Sequence, residues 1–201
     1  MGYRKEYLSG KPAMNNFKSF LTLEPQFFTQ EKLETLTLQD FTTLNTAGEP
    51  NHLPVDLTWE AGVLQVILGS NGTGKTTLLE SILGLTDRYQ GRLPINGLAN
   101  QTCSDMVYVP AEPYVSTHGQ LSQYEQASLG QKKMATLKFA LATDKAAYLL
   151  DEPTNYLDEQ HKQHLVTLLA ELMAKNKRVL IVTHDVALFS QLEMRTCELV
   201  P

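Results

Sequence analysis

The sequence predicts an α/β fold: a mainly parallel sheet flanked by helices, with a small antiparallel β portion on its N-terminal side. Three observations predict it. Short apolar runs suited to buried strands recur at VLQVIL (63–68), AAYLL (146–150) and RVLIVT (178–183). Helical spacing of apolar residues separates them, over 76–85, 132–142 and 158–174. Two alternating segments, LTLQDF (36–41) and VDLTW (55–59), come earlier and read as half-buried strands. Strands that alternate with helices favour a parallel sheet.

Each element has a local reason. Residues 1–34 are weakly patterned and mildly basic through Arg4, Lys5, Lys11 and Lys18. They form an N-terminal arm, either a solvated tail or a partner-binding segment. TAGEPNHLP (46–54) is turn chemistry between the two alternating strands, and Glu60-Ala61-Gly62 is a tight turn. VLQVIL then runs directly into a glycine-rich loop. In the helix that follows, Leu78, Ile82 and Leu85 fall on one face. Gly91 to Gly97 is turn-rich around a short strand, and MVYVP (106–110) is a strand stopped by proline. The helix over 158–174 carries Leu165, Leu168, Leu169 and Leu172 on one side, and RVLIVT is the last clear strand.

Composition narrows the function classes. The chain has 201 residues, 42% of them hydrophobic and 19% charged, which suits one folded domain and excludes bulk disorder. Net charge is −5, so a whole-surface cationic footprint for nucleic acid is absent. The two cysteines, Cys103 and Cys197, make no disulfide framework and suggest a reducing, cytoplasmic compartment. No apolar run approaches the roughly 18 residues needed to cross a bilayer, and the first residues hold no signal-peptide core. A membrane role therefore requires a partner.

The glycine-rich loop carries the chemistry. Gly69-Ser70-Asn71-Gly72-Thr73-Gly74-Lys75-Thr76 fits G-x-x-x-x-G-K-[ST], with a strand before it and a helix after. Glycines let successive N–H groups close on phosphate, and the helix N-terminus adds positive charge. Lys75 would reach the β- and γ-phosphates of ATP, and the Thr76 hydroxyl would bind Mg²⁺. Asp151 and Glu152 follow the AAYLL strand. Asp151 suits the second Mg²⁺ position, and Glu152 is placed to orient and deprotonate a water. The pattern is that of a P-loop NTPase fold.

Three segments in order, GSNGTGKTTLLESILGL (69–85), DEPTNYLD (151–158) and VTHD (182–185), resemble the ABC-type ATPases. The resemblance spans Leu36 to Pro201. It implies residues 35–201 as the ATPase domain, with ATP held by Gly69 through Thr76 together with Thr77. It further implies a head-to-tail dimer with a second ABC ATPase, two ATPs lying at the interface. The family signature resembles L-S-G-G-Q, and the matching stretch is Ala127-Ser128-Leu129-Gly130-Gln131. Ser128 and Gly130 would then contact the partner's nucleotide, and Ser128 also reads as a helix N-cap. His184 falls at the switch histidine and would touch the γ-phosphate. Asp158 matches a segment that meets the opposite site, or caps the helix after it. Phe41 is either an adenine-stacking aromatic or a core residue.

Two departures stand out. Ala111 occupies the position where the family carries a glutamine after VYVP, with Glu112 next. Ser128 lies only 17 positions after Ala111, so the helical subdomain that docks on membrane-spanning partners in the family is reduced to 111–130. Pro113, Tyr114, Val115, Leu121 and Tyr124 offer a small apolar docking surface there. Gly119 to Gln123 mimics a signature at the wrong distance from Asp151. His161 and His164 share a helix face, but no third metal ligand accompanies them. The leading expectation is the ATP-binding, ATP-hydrolysing subunit of an ABC transporter, peripheral at the inner face of a membrane through its partner. The alternatives are a soluble ABC ATPase acting on ribosomes or nucleic acid, which DEPTNYLD resembles, and a degenerate ATP-binding switch, which Ala111 and Leu129 suggest. The acidic balance weighs against a polyanion partner.

Overall fold

The computed structural model describes residues 28–99, 101–113 and 126–201. Tyr114, Val115, Leu121, Tyr124 and the Gly119–Gln123 stretch lie outside the described residues, as does most of the N-terminal arm. In chain order the strands are β1 (Phe28–Gln30), β2 (Thr37–Thr43), β3 (Val55–Thr58), β4 (Leu64–Leu68), β5 (Tyr89–Arg92), β6 (Gln101–Cys103), β7 (Met106–Val109), β8 (Ala147–Asp151), β9 (Arg178–Val182) and β10 (Met194–Glu198). The α-helices are α1 (Lys75–Ile82), α2 (Leu129–Leu141) and α3 (Glu159–Ala174).

A five-stranded sheet in the order β10-β4-β9-β8-β7 forms the centre, and every pairing in it is parallel. Helices cover both faces, which is why its strands read as apolar runs rather than alternations. In β9, Leu180 and Val182 join the cluster under α1 with Leu78, Leu79 and Ile82. Val179 and Ile181 join the opposite cluster under α2 and α3 with Leu137, Leu165 and Leu169. The period-2 alternation of the strand thus feeds two cores at once. A three-stranded antiparallel sheet, β3-β2-β5, packs on the α1 side through Leu38, Phe41 and Leu57.

Several expectations change in detail. β10 follows RVLIVT and completes the sheet edge beside β4, so β9 is not the last strand. β1 pairs in parallel with β6, and Leu33 is buried, so the end of the predicted arm joins the folded body. Helix α2 begins at Leu129, three residues before the predicted start, because Ser128 caps it. Phe41 is fully buried and stacks on Tyr89, with ring centroids 5.0 Å apart. It is a core residue and has no free face for adenine.

Candidate nucleotide site

The carboxyl ends of parallel strands leave a crevice where loops, not side chains, meet the ligand. Here β4 ends at the loop 69–74 and β8 ends at Asp151, two strands away with β9 between them. The loop is held from within. The Thr73 hydroxyl donates to the Ser70 carbonyl at 2.9 Å, and Thr73 is buried. Gly74 has φ +79° and lies so close to β2 that a Cβ would sit 2.0 Å from Thr43 Oγ1. Lys75 Nζ folds back over the loop and donates to the carbonyls of Gly69 at 2.7 Å and Ser70 at 2.8 Å.

The Thr76 hydroxyl donates to Asp151 Oδ2 at 2.8 Å, bringing the two predicted metal residues together. Asp151 is 3% exposed. Burial pushes its carboxyl upward, while hydrogen bonds from Thr76 and Tyr108 and the charges of Lys133 and Lys75 pull it down. Glu152 sits beside it with φ +43°, a left-handed backbone for a non-glycine residue. Its main chain is fixed by donation to the Val182 carbonyl at 2.9 Å. Its Oε1 lies 3.2 Å from His184 Nε2. Burial raises the Glu152 carboxyl, and the His184 side chain and backbone N–H oppose that shift. A raised carboxyl held beside a histidine suits a general base.

Lys75, Thr76, Asp151 and Glu152 border one cavity of about 500 Å³, and His184 stands outside its lining, joined to it through Glu152. Asn71, Gly72, Gly74, Lys75, Thr76 and Thr77 form one wall, with Ala111, Asp151 and Glu152 opposite. Gly69, Ser70 and Thr73 make the inner turn behind that wall. The hydroxyl and carboxylate at Thr76 and Asp151 are hard oxygen donors of the kind Mg²⁺ takes. The glycine cradle and the lysine suit a polyphosphate.

Ser128 and Gly130 stand outside this cavity. Ser128 is exposed and closes a capping box with Gln131 at the start of α2. Gly130 packs so closely that a Cβ would lie 2.4 Å from the Tyr156 carbonyl. Leu129, the departure from the signature, is exposed. Asp158 caps α3 by accepting from the His161 N–H at 2.8 Å. His161 Nδ1 is bonded to that same carboxylate, and no metal-ligating cluster occurs among the described residues. Glu112, beside the missing glutamine, accepts from the Tyr156 hydroxyl at 2.8 Å.

Sequence reasoning missed several lining or supporting groups. Leu44, Asn45, Thr46, Asn51 and Arg88 line the cavity from the antiparallel sheet side, and no motif marks them. Tyr108 reaches Asp151. Lys133 is fully buried, and burial lowers its ammonium to about 8 against the opposing pull of Asp151, Glu112 and Glu152. Its signal was present, because a lysine shares the apolar stripe of α2 with Leu137 and Leu141.

Known proteins match this chain in both sequence and shape. A family model described as "ABC transporter" matches residues 53–116, and one described as "AAA domain, putative AbiEii toxin, Type IV TA system" matches 109–190. The manganese transport system ATP-binding protein of Synechocystis is 29% identical over 178 residues, covering 66% of this chain and 68% of that protein. The ribosome protection protein VmlR of Bacillus subtilis is 34% identical over 140 residues, covering 65% of this chain and 25% of that protein. The solved ATP-binding subunit of an ABC transporter superposes with a TM-score of 0.70 at 20% identity, covering 83% of this chain and 86% of its own. Motif order, cavity and sheet order agree with these likenesses: the chain is similar to the ABC-type ATPases over their nucleotide-binding domain.

Proposed function

We propose that the chain is the ATP-binding and ATP-hydrolysing subunit of an ABC transporter, driving a separate membrane-spanning partner through ATP-dependent dimerisation. One observation supports it above the rest: Lys75, Thr76, Asp151 and Glu152 border a single cavity at the carboxyl ends of parallel strands. The relatives whose names specify metal-ion transport support the transporter reading. Among the described residues no helix is long and apolar enough to cross a membrane, so a spanning path has to come from another polypeptide segment.

The residues divide the work by position. Backbone N–H groups of the loop 69–74 and the N-terminus of α1 bind the phosphates. Lys75, which rests on two loop carbonyls, has only to swing outward to meet the β- and γ-phosphates. Thr76 and Asp151 would hold Mg²⁺, which would supply neutralisation of charge on those phosphates. Glu152 takes a proton from the attacking water at its carboxylate, and His184 fixes that carboxylate and faces the γ-phosphate. Positioning and charge stabilisation supply most of the rate, with in-line attack of water on the γ-phosphorus as its bond to the bridging oxygen breaks and ADP leaves. Ser128, exposed at the start of α2, and the half-buried Gly130 complete the site of a second copy or homologous subunit. The reduced segment 111–130 docks on the partner, and the protein sits at the cytoplasmic face through it.

A second reading rests on the similarity to the ribosome protection protein and on the DEPTNYLD segment. Tagged protein captured from its native cell in mild detergent separates the two. Co-purification with a polytopic membrane protein supports the transporter subunit. Recovery with ribosomes, lost as salt rises because phosphate contacts release counterions, overturns it.

A further inference from the structure

The ammonium of Lys133 is fully buried, one helical turn into α2, yet among the described residues no carboxylate oxygen is bonded to it. Nζ donates to the carbonyls of Pro110 at 2.7 Å, Ala111 at 2.8 Å and Asp151 at 3.4 Å. Three donors meet three backbone acceptors. Those acceptors belong to the carboxyl ends of the adjacent strands β7 and β8, where carbonyls run out of sheet partners. Burying an ammonium costs several kcal/mol unless it is fully bonded and balanced by charge. An apolar residue would fill this stripe more cheaply, so packing alone does not account for a lysine.

The placement of the three acceptors points to function. Asp151 is the candidate magnesium acid, and Ala111 forms cavity wall at the position lacking the family glutamine. With no side chain there to reach the metal, the geometry of the wall depends on its main chain. Lys133 grips that main chain and the main chain of Asp151 from a single point, on the helix whose first turn carries Ser128.

We infer that Lys133 is a positioning residue for ATP hydrolysis: from α2 it fixes the Pro110–Ala111 turn and the Asp151 backbone, and so sets where the magnesium carboxylate stands. The inference rests on the assignment of Asp151 to magnesium. Lys133→Met, of similar length and without charge, should lower kcat per nucleotide-binding site at least tenfold and leave KM for ATP within about threefold. A second readout does not involve turnover. Calorimetric affinity for ATP, measured with Mg²⁺ and with EDTA, should show the Mg²⁺-dependent gain shrinking several-fold in the variant.

Lys133→Arg keeps the charge but not the three-point geometry, so it should recover part of both quantities and most of the thermal stability. If Lys133→Met does not fold, Lys133→Arg carries the test: wild-type kcat and wild-type Mg²⁺ gain in that variant overturn the inference. A folded Lys133→Met with reduced melting temperature but unchanged kcat per site and unchanged Mg²⁺ gain also overturns it, since that is a structural lysine. A wild-type protein whose ATP affinity is the same in Mg²⁺ and EDTA instead removes the magnesium assignment beneath it.

Discussion

Gly72 and Gly74 form a matched pair within one loop, and they predict different costs for the same methyl group. Both have left-handed backbones, φ +88° and φ +79°. Placing alanine in that region costs roughly 1–2 kcal/mol at either site. Around Gly72 a Cβ would meet nothing within 4 Å. At Gly74 it would lie 2.0 Å from Thr43 Oγ1 and 2.9 Å from Asn51 Nδ2. Thr43 is fully buried and its hydroxyl accepts from Asn51 Nδ2 at 3.0 Å. Relief requires Thr43 to rotate, which breaks a part-buried hydrogen bond worth about 1 kcal/mol and strains the packing by about as much again. Gly74→Ala should therefore be about 2 kcal/mol less stable than Gly72→Ala. With a urea m-value near 2 kcal/mol/M, that is a difference of about 1 M in unfolding midpoint. Equilibrium urea unfolding of the two variants, followed by circular dichroism, measures it. Coincident midpoints would refute the contact argument, because the backbone term is common to both.

Other consequences can be checked alongside. Glu152→Gln should cut steady-state hydrolysis by about 10²–10⁴ while ATP still binds, and a variant that keeps full turnover would remove Glu152 as the base. His52 is buried, accepts the Thr43 N–H on Nε2 at 3.0 Å, and has its pKa lowered below 6.5 chiefly by burial. The unfolded chain then holds the proton more tightly, so this contribution is full above about pH 6.5 and is lost as pH falls from there through the lowered folded value. His52→Gln should flatten the stability slope between pH 7 and pH 5, and an unchanged slope would exclude His52 as its source. Trp59 is buried, and its Nε1–H has no partner among the described residues. Trp59→Phe removes that unpaired donor as it removes volume, so thermal or urea unfolding should shift by only about 1 kcal/mol; a loss above about 3 would show that the donor is satisfied in solution.

The parts legible in the sequence were those with their own local signal. The loop 69–76 and Asp151-Glu152 are contiguous, and the strands before them are apolar because both faces are covered. β10 gave no such signal. Its residues, Met194 to Glu198, are largely polar and partly exposed, and it is a strand because β4 offers it a free edge. β5 and β6 are likewise short and polar, held by pairing rather than propensity. Phe41 was open between ligand and core because an aromatic in an alternating strand suits both, and only its stacking on Tyr89 decides. The antiparallel-side wall at Asn45 and Arg88 comes from loops brought together by β2 and β5 pairing, which no spacing in the chain reveals. Lys133 was readable as a charge in an apolar stripe, but its acceptors are tertiary.

The strand order has a consequence for the chain during its synthesis. β4 carries the phosphate loop, yet its two neighbours are β9 and β10, with Leu64 beside Val179 and Met194. When LQVIL leaves the ribosome, nothing that can pair with it has been made. At 5–20 residues per second the gap lasts on the order of ten seconds. Throughout it an apolar strand has two open edges and the glycine loop has no floor. The nucleotide pocket is therefore among the last features the nascent chain can complete. A polypeptide cut short before residue 178 would expose β4 as an aggregation-prone edge instead of holding a partial ATP site.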